Sequence, residues 1–206
     1  MVGFSKPISP RARARLIVMV KTPRAGRVKT RLGRGIGMAA AAMWYRHQLR
    51  HLFRTLRDPR WQVVLAVAPD TALNAPMWPT DFARVPQGRG DLGARMARLL
   101  RSAPPGPALL IGSDIPGTTR AHLARGFQAL GRYEAVLGPA PDGGYWLIGL
   151  ARRGRVPTGI LTRVRWSGPH ALADSEKSLS GLSIAHVDTL ADVDEAADLS
   201  RHPLSA

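Results

Sequence analysis

Three short apolar runs, separated by long stretches of helical spacing, constrain the fold of this chain more than any other feature. They are residues 16–20 (LIVMV), Trp61–Ala68 (WQVVLAVA) and Ala108–Ile111 (ALLI). Runs this short, bounded by Gly or Pro, read as strands, and their near-continuous apolarity suits strands covered on both faces of a parallel sheet. Met38–Leu56 carries Met43, Leu49, Leu52, Phe53 and Leu56 at helical spacing, and residues 91–100 do the same with Leu92, Met96, Leu99 and Leu100. Thr118 or Thr119 can cap a further helix through Leu130. Residues 134–137 and Tyr145–Leu150 (YWLIGL) add two strands around a Pro-Ala-Pro-Asp-Gly-Gly turn at 139–144. A helix over 170–179, a strand at 183–187 and a short acidic helix after Asp194 complete the series. Such alternation predicts an α/β protein, a three-layer α/β/α sandwich with a mostly parallel sheet.

At 206 residues the chain suits one domain. Residues 1–14 read as a basic, mobile tail without the apolar core of a signal sequence, and 15–206 as the single domain. No apolar run approaches the roughly 20 residues that a membrane-spanning helix needs. The absence of cysteine excludes disulfides, thiolate zinc sites and Cys nucleophiles, and agrees with a reducing cytoplasm, the expected location.

The formal net charge of +16 invites a nucleic-acid partner. Its distribution argues otherwise. Lys occurs only at positions 6, 21, 29 and 177, and the many Arg residues are scattered instead of forming one tract. Abundant Ala, Gly, Pro and Arg is the composition a GC-rich genome gives. No zinc pair, aromatic RNP-like strand or basic region with heptads accompanies the charge.

In open parallel sheets ligands sit beyond the carboxyl ends of the strands, so the residues just after each strand are the ones to inspect. The first strand runs into Lys21, Arg24, Gly26, Arg27, Lys29, Thr30 and Arg31, where Pro23 and Gly26 break the extension and helix formers resume at Val28. Cations beside a helix N-terminus favour a bound anion; the alternative is a solvated basic face. The spacing is not a Walker loop. After the third strand, Ser113 and Asp114 precede Ile115 and Pro116. Asp114 is a candidate ligand for a hard divalent cation, which takes one or two carboxylates plus phosphate oxygens, or else a turn carboxylate. Asp142 lies in a Pro-Asp-Gly-Gly turn. Either it is a turn former only, or it acts as a base or meets substrate hydroxyls while the glycines admit a close approach.

Gly88, Gly90 and Gly93 match G-x-G-x-x-G literally, with Asp114 about 20 residues on. Residues 81–87 make a poor strand with Pro86 before the glycines, which argues against a dinucleotide fingerprint. Asp91 and Arg95 read as an N-terminal Asp and an i,i+4 ion pair on the next helix, with substrate contact the alternative. The six histidines show no metal-ligand spacing, Ser113 lies outside G-x-S-x-G, and the five tryptophans suit core or pocket walls.

Four motifs in chain order carry a family resemblance: K-x-P-x-x-G-x-x-K-T-R-L at 21–32, Q-G-x-G-D-L-G-x-R-M at 87–96, I-G-S-D-I-P at 111–116 and G-P-A-x-D-G-G-Y-x-L-I-G-L at 138–150. Together they resemble the bacterial DUF2064 group, whose layout is similar to GT-A glycosyltransferases, to phospholactate guanylyltransferases and, more distantly, to molybdenum-cofactor nucleotidyltransferases. The resemblance implies a Rossmann-like GT-A fold that binds a nucleotide with Mg²⁺ or Mn²⁺. It implies that Lys21, Gly26, Lys29, Thr30 and Arg31 hold nucleotide phosphates, and that Asp91, Arg95 and Ser113 border the nucleotide. It makes Asp114 the metal-binding aspartate and a catalytic group, and puts Asp142, the second catalytic candidate, with Gly143, Gly144 and Tyr145 on the acceptor side. Related chains end in D-x-D-T-P-E-D-L, with the second Asp a further metal ligand. Here Asp194 keeps that position while Glu195 and Ala196 replace Thr and Pro.

The expected activity is a metal-dependent transferase acting on a nucleotide or nucleotide-sugar donor and a small-molecule acceptor. Attack at a sugar carbon would expel a nucleoside diphosphate, and attack at an α-phosphate would expel pyrophosphate. The family label favours glycosyl transfer. Nucleotidyl transfer to a small phosphorylated or carboxylate acceptor is the alternative, and a non-catalytic nucleotide- or nucleic-acid-binding protein is the rival of another class.

Overall fold

The computed structural model describes residues 13–200; most of the basic tail lies outside them. Seven strands form one sheet: β1 (Ala14–Lys21), β2 (Trp61–Ala68), β3 (Ala83–Pro86), β4 (Ala108–Ile111), β5 (Ala135–Pro139), β6 (Tyr145–Leu150) and β7 (Ile184–His186). Their order is β3-β2-β1-β4-β6-β5-β7. All pairings are parallel except those of β6, which runs antiparallel to both β4 and β5. The helices are α1 (Thr30–Ile36), α2 (Met38–Leu56), α3 (Leu92–Ser102), α4 (Arg120–Ala129) and α5 (Ala171–Ser178).

The two-residue period of a strand divides the core into two layers. From β1, Leu16, Val18 and Val20 point into the layer shared with α1, α2 and α4, while Ile17 points into the layer of α3. From β4, Leu109 and Ile111 join the first layer and Ala108 and Leu110 the second. This is the three-layer α/β/α sandwich with a mostly parallel sheet that the alternation predicts.

α2 has the bounds its periodicity predicts, but Gly37 separates it from the short α1. Thr119, not Thr118, caps α4: its hydroxyl accepts from the His122 N–H while His122 Nδ1 accepts from the Thr119 N–H, a reciprocal pair that satisfies two free helix donors. The acidic C-terminal segment forms a short 3-10 turn at Ala196–Ser200. Two expectations fail. Residues 83–86 do form a strand, because β3 is the sheet edge, where a short strand ending in Pro86 needs no second pairing partner. The glycines at 88–93 therefore follow a strand, but a short, partly exposed edge strand and not the buried one that a dinucleotide fingerprint requires, so the argument against that fingerprint stands. Asp91 N-caps α3 through the Ala94 N–H at 2.7 Å, but the expected Asp91–Arg95 ion pair does not form, since the Arg95 guanidinium turns back to the Gly90 carbonyl at 2.9 Å.

Candidate functional site

Parallel pairing of β3, β2, β1 and β4 brings their carboxyl ends to one edge of the sheet, and antiparallel β6 presents its start, Tyr145, at the same edge. A cavity of about 850 Å³ opens there. The chain closes this edge once more near its end. Leu190 N–H donates to the Pro139 carbonyl (3.1 Å) and Val193 N–H to the Asp114 carbonyl (3.3 Å), which lays Asp192 and Asp194 beside Asp114.

The centre of the site is an ion cluster. Lys29 Nζ lies 2.6 Å from Asp114 Oδ2 and 3.8 Å from both Asp192 Oδ2 and Asp194 Oδ1. Arg31 Nη1 donates to Asp194 Oδ2 at 2.7 Å. Lys29 is held by its backbone as well as by charge. It is the N-cap of α1 with φ 46° and ψ 48°, a left-handed conformation that costs a non-glycine residue about 1–2 kcal/mol and is tolerated where the surroundings over-determine it. Its side chain is 7 % exposed. Burial, the largest single influence, would lower the Lys29 pKa, and Asp114, with smaller help from Asp192 and Asp194, outweighs it, so the ammonium is held above its ordinary value. Asp192 responds in the opposite sense to an ordinary ion-paired carboxylate. Burial and then the neighbouring Asp114 charge push it up to about 6. The two shifts agree on one point: Asp114, Asp192 and Asp194 outnumber Lys29 and Arg31.

A buried tyrosine ties the ends of β1 and β4 together. Tyr45 of α2 accepts the Lys21 N–H at 3.1 Å, and its hydroxyl lies 2.7 Å from Ser113 Oγ. Burial pushes its phenol up to about 12, so it stays protonated. Either hydroxyl can donate in this pair; because Tyr45 Oη already accepts from Lys21, donation of its own proton to Ser113 would satisfy both groups and free the Ser113 proton for the cavity. At the β3 end, Gln87 is 2 % exposed and its amide nitrogen donates to the Val20 and Ala66 carbonyls at 3.0 and 2.9 Å.

On the β6 side, Asp142 Oδ1 accepts the Gly144 N–H at 2.9 Å. Ser175, fully buried, donates to the Tyr145 hydroxyl at 3.2 Å, and the Tyr145 ring meets Trp166 edge-on at 6.4 Å.

Of the residues singled out in the sequence, Lys21, Lys29, Thr30, Arg31, Arg95, Ser113, Asp114, Asp142, Gly144, Tyr145 and Asp194 all line this cavity. Gly26, Asp91 and Gly143 do not. Gly26 stands clear in the first loop, Gly143 packs on Pro169, and Asp91 faces a separate groove of about 690 Å³ beside α3. Trp146 and Trp166 are pocket walls, one of the two places expected for the tryptophans, while Asp192, Tyr45 and Gln87 line the cavity unanticipated. For Gln87 the signal was its place at the head of the Q-G-x-G motif, and for Asp192 its place two residues before Asp194; Tyr45 carried none.

The donor set fits a hard divalent cation. It is all carboxylate oxygen, with negative charge in excess. Among the described residues no group of three His, Cys, Asp or Glu side chains is arranged to hold a metal ion. A cation here would therefore draw on one or two carboxylates, the number Mg²⁺ ordinarily takes when a phosphate completes its shell.

Comparison with solved structures places the fold. A protein of Desulfovibrio desulfuricans G20, provisionally assigned as a nucleotide-diphospho-sugar transferase, is 27% identical with a TM-score of 0.79, over 89% of this chain and 83% of that one. Rv0371c from Mycobacterium tuberculosis H37Rv, solved in complex with manganese, is 19% identical with a TM-score of 0.55, over 95% of this chain and 100% of that one. The 4-diphosphocytidyl-2C-methyl-D-erythritol synthase of Anaerococcus prevotii DSM 20548 is 10% identical with a TM-score of 0.57, over 92% and 93%. No curated protein matches the chain in sequence. The fold is thus that of the nucleotide-diphospho-sugar transferases and nucleotidyltransferases. Residues 51–168, more than half the chain and the span that holds three of the four motifs, match the family described as uncharacterized proteins conserved in bacteria, and the protein is a member of that family, DUF2064.

Proposed function

We propose that this protein is a metal-dependent transferase that takes a nucleoside-diphosphate sugar and passes its glycosyl group to a small acceptor. The observation that carries this reading is the Lys29 cluster, in which a buried ammonium is held among Asp114, Asp192 and Asp194 in a cavity large enough for a nucleotide and a second substrate. The likeness to the D. desulfuricans protein supports the sugar-nucleotide donor, and the manganese complex of Rv0371c supports a divalent cation.

Asp114 would hold Mg²⁺ or Mn²⁺, with Asp194 the second carboxylate. The cation supplies charge neutralisation of a diphosphate leaving group. Lys21, Lys29, Thr30, Arg31 and Arg95 bind the phosphates, and Ser113, oriented by Tyr45, donates a hydrogen bond to a phosphate oxygen. An acceptor hydroxyl attacks the anomeric carbon as the bond from that carbon to the diphosphate oxygen breaks, and the electron pair leaves with the nucleoside diphosphate. Asp142 takes the hydroxyl proton on Oδ2, its Oδ1 being engaged by Gly144. Most of the rate enhancement comes from positioning and electrostatics.

Thermal-shift measurements with nucleoside triphosphates and nucleotide sugars, with Mn²⁺ or Mg²⁺, test the reading. A cation-dependent stabilisation by one nucleotide sugar, lost in Asp114→Ala, is the expected result; a shift that survives that change removes Asp114 from metal binding. Nucleotidyl transfer is the second reading, supported by the fold shared with the A. prevotii synthase, and release of pyrophosphate instead of a nucleoside diphosphate identifies it. Steep, salt-sensitive binding of DNA or RNA with no cation-dependent nucleotide binding would replace both by a non-catalytic role.

A further inference from the structure

The cavity is electrically divided along the sheet. Its side-chain cations, Lys21, Lys29, Arg31 and Arg95, all come from β1, the loop and helix that follow it, and α3. The opposite part, built by the ends of β4 and β6 and by residues 166–169, supplies Asp114, Asp142, Tyr145 and Trp166 and no cation of its own, while Asp192 adds a further carboxylate; Lys29 reaches across to Asp114 and Asp192 and marks the divide. In a chain of formal charge +16 with only 14 acidic residues, four line this one cavity.

Gln87 fixes which way round a donor lies. Its amide protons are committed to the Val20 and Ala66 carbonyls, which sets the orientation of the amide, and its Oε1 has no hydrogen-bond partner among the described residues. A buried side chain with a free acceptor lining the cavity, beside the apolar surfaces of Met19, Leu92 and Met96, suits an N–H donor on a flat base. With the base at the β3 end and the phosphates on the four cations, the acceptor is left the β6 side. There Asp142 and Asp192 would face it, with the Trp166 ring as a wall. That ring is fixed from behind: a Cβ on Gly93 would lie 2.7 Å from it.

On the transferase reading above, we infer that the acceptor is an uncharged or cationic hydroxyl compound, such as a sugar or amino sugar, and not a phosphorylated or carboxylate one. Carboxylates accept hydrogen bonds from hydroxyl and ammonium groups, and an indole face attracts a cation or a sugar's apolar C–H surface. An anionic acceptor would meet the like charge of Asp142 and Asp192, and the cation nearest to it, Lys29, is already engaged by three carboxylates.

Trp166 allows a direct test, because Trp44, Trp61, Trp78 and Trp146 are all buried and Trp166 is not. The difference in emission between the full chain and Trp166→Phe isolates its signal. With Mn²⁺ and the best-binding nucleoside diphosphate present, caesium and iodide are compared as quenchers at constant ionic strength, and glucosamine, glucose, glucose 6-phosphate and gluconate are titrated. Caesium should quench Trp166 better than iodide despite the positive protein, and the joint change of Asp142→Asn and Asp192→Asn should remove that preference. Glucosamine or glucose should saturate at concentrations at least about tenfold below their anionic counterparts. Better quenching by iodide, or tighter binding of glucose 6-phosphate or gluconate, overturns the inference; where no sugar saturates, the quencher preference alone decides. Failure to bind any nucleoside diphosphate sinks the transferase reading together with this one, whereas nucleotide binding with an anionic sugar preferred sinks only the acceptor class.

Discussion

The loop after β1 and the turn before β6 flank the same cavity, yet different forces hold them. The first is fastened at its end by charge: Lys29 reaches three carboxylates, and a Cβ on Gly26 (φ +70°) would have nothing within 4 Å. The second is fastened by shape. A Cβ on Gly143 (φ +82°) would lie 2.4 Å from the Pro169 carbonyl oxygen, and the Gly143 carbonyl accepts the Leu172 N–H at 2.9 Å. A loop held by charge answers to pH, salt and any ligand that brings charge; a turn held by contact answers to none of these. The side proposed to hold the phosphates is thus the adjustable side of the site, and the side proposed for the acceptor the fixed one.

The largest effect should come from Lys29→Met. Removing one partner of a buried ion pair costs about 3–5 kcal/mol, and because Asp114 is 32% exposed the expected loss is nearer 2–3 kcal/mol in urea unfolding. Cation-dependent nucleotide binding should vanish with it. A loss under about 1 kcal/mol would mean that the first loop is not held by charge.

Gly143→Ala should follow, at about 2–3 kcal/mol, since the added methyl meets Pro169 backbone in a φ region that L residues avoid. Gly26→Ala meets only the second problem and should cost about 1 kcal/mol. Equal losses for the two, by the same unfolding measurement, would break the contrast between charge and shape.

Asp192 sharpens it through pH. Its folded pKa of about 6 lies above the ordinary 3.8, so the folded state binds more protons between those values, and its contribution to stability falls as pH rises through that window. Asp192→Asn should therefore be more stable than the parent above about pH 6, by roughly 1 kcal/mol once the screening of a 36%-exposed carboxylate is allowed for, and no different below about pH 4. An Asp192→Asn chain no more stable than the parent above about pH 6 would contradict a carboxylate held among like charges.

An effect of similar, small size is expected for Tyr45→Phe. Loss of one buried hydrogen-bonded hydroxyl should cost about 0.5–1.5 kcal/mol of stability. If Tyr45 orients Ser113, nucleotide affinity should fall by a similar factor in Tyr45→Phe and Ser113→Ala, and the double variant should be no weaker than either alone.

Much of this was legible in the chain. The apolar runs at 16–20, 61–68 and 108–111 and the helical period of Met38–Leu56 depend on local spacing, which survives without knowledge of the fold. The positions that follow strands, Lys21, Ser113 and Asp114, were legible for the same reason, because any open parallel sheet gathers its strand ends. β3 was missed because edge strands need neither apolarity nor length, and the Asp91–Arg95 pair because helical spacing permits an ion pair without requiring one.

Sequence by itself determined that the chain alternates strands and helices and that its charged groups follow its strands, since both are written at short range. Only the tertiary structure decided which groups meet. Lys29 and Asp192 are far apart along the chain and 3.8 Å apart in space, because two backbone hydrogen bonds lay the C-terminal segment against β4 and β5. Tyr45, a residue of an ordinary core helix, becomes a strut between β1 and β4 in the same way. Charge balance in a site depends on distances, and distances between remote segments are a property of the packed chain alone.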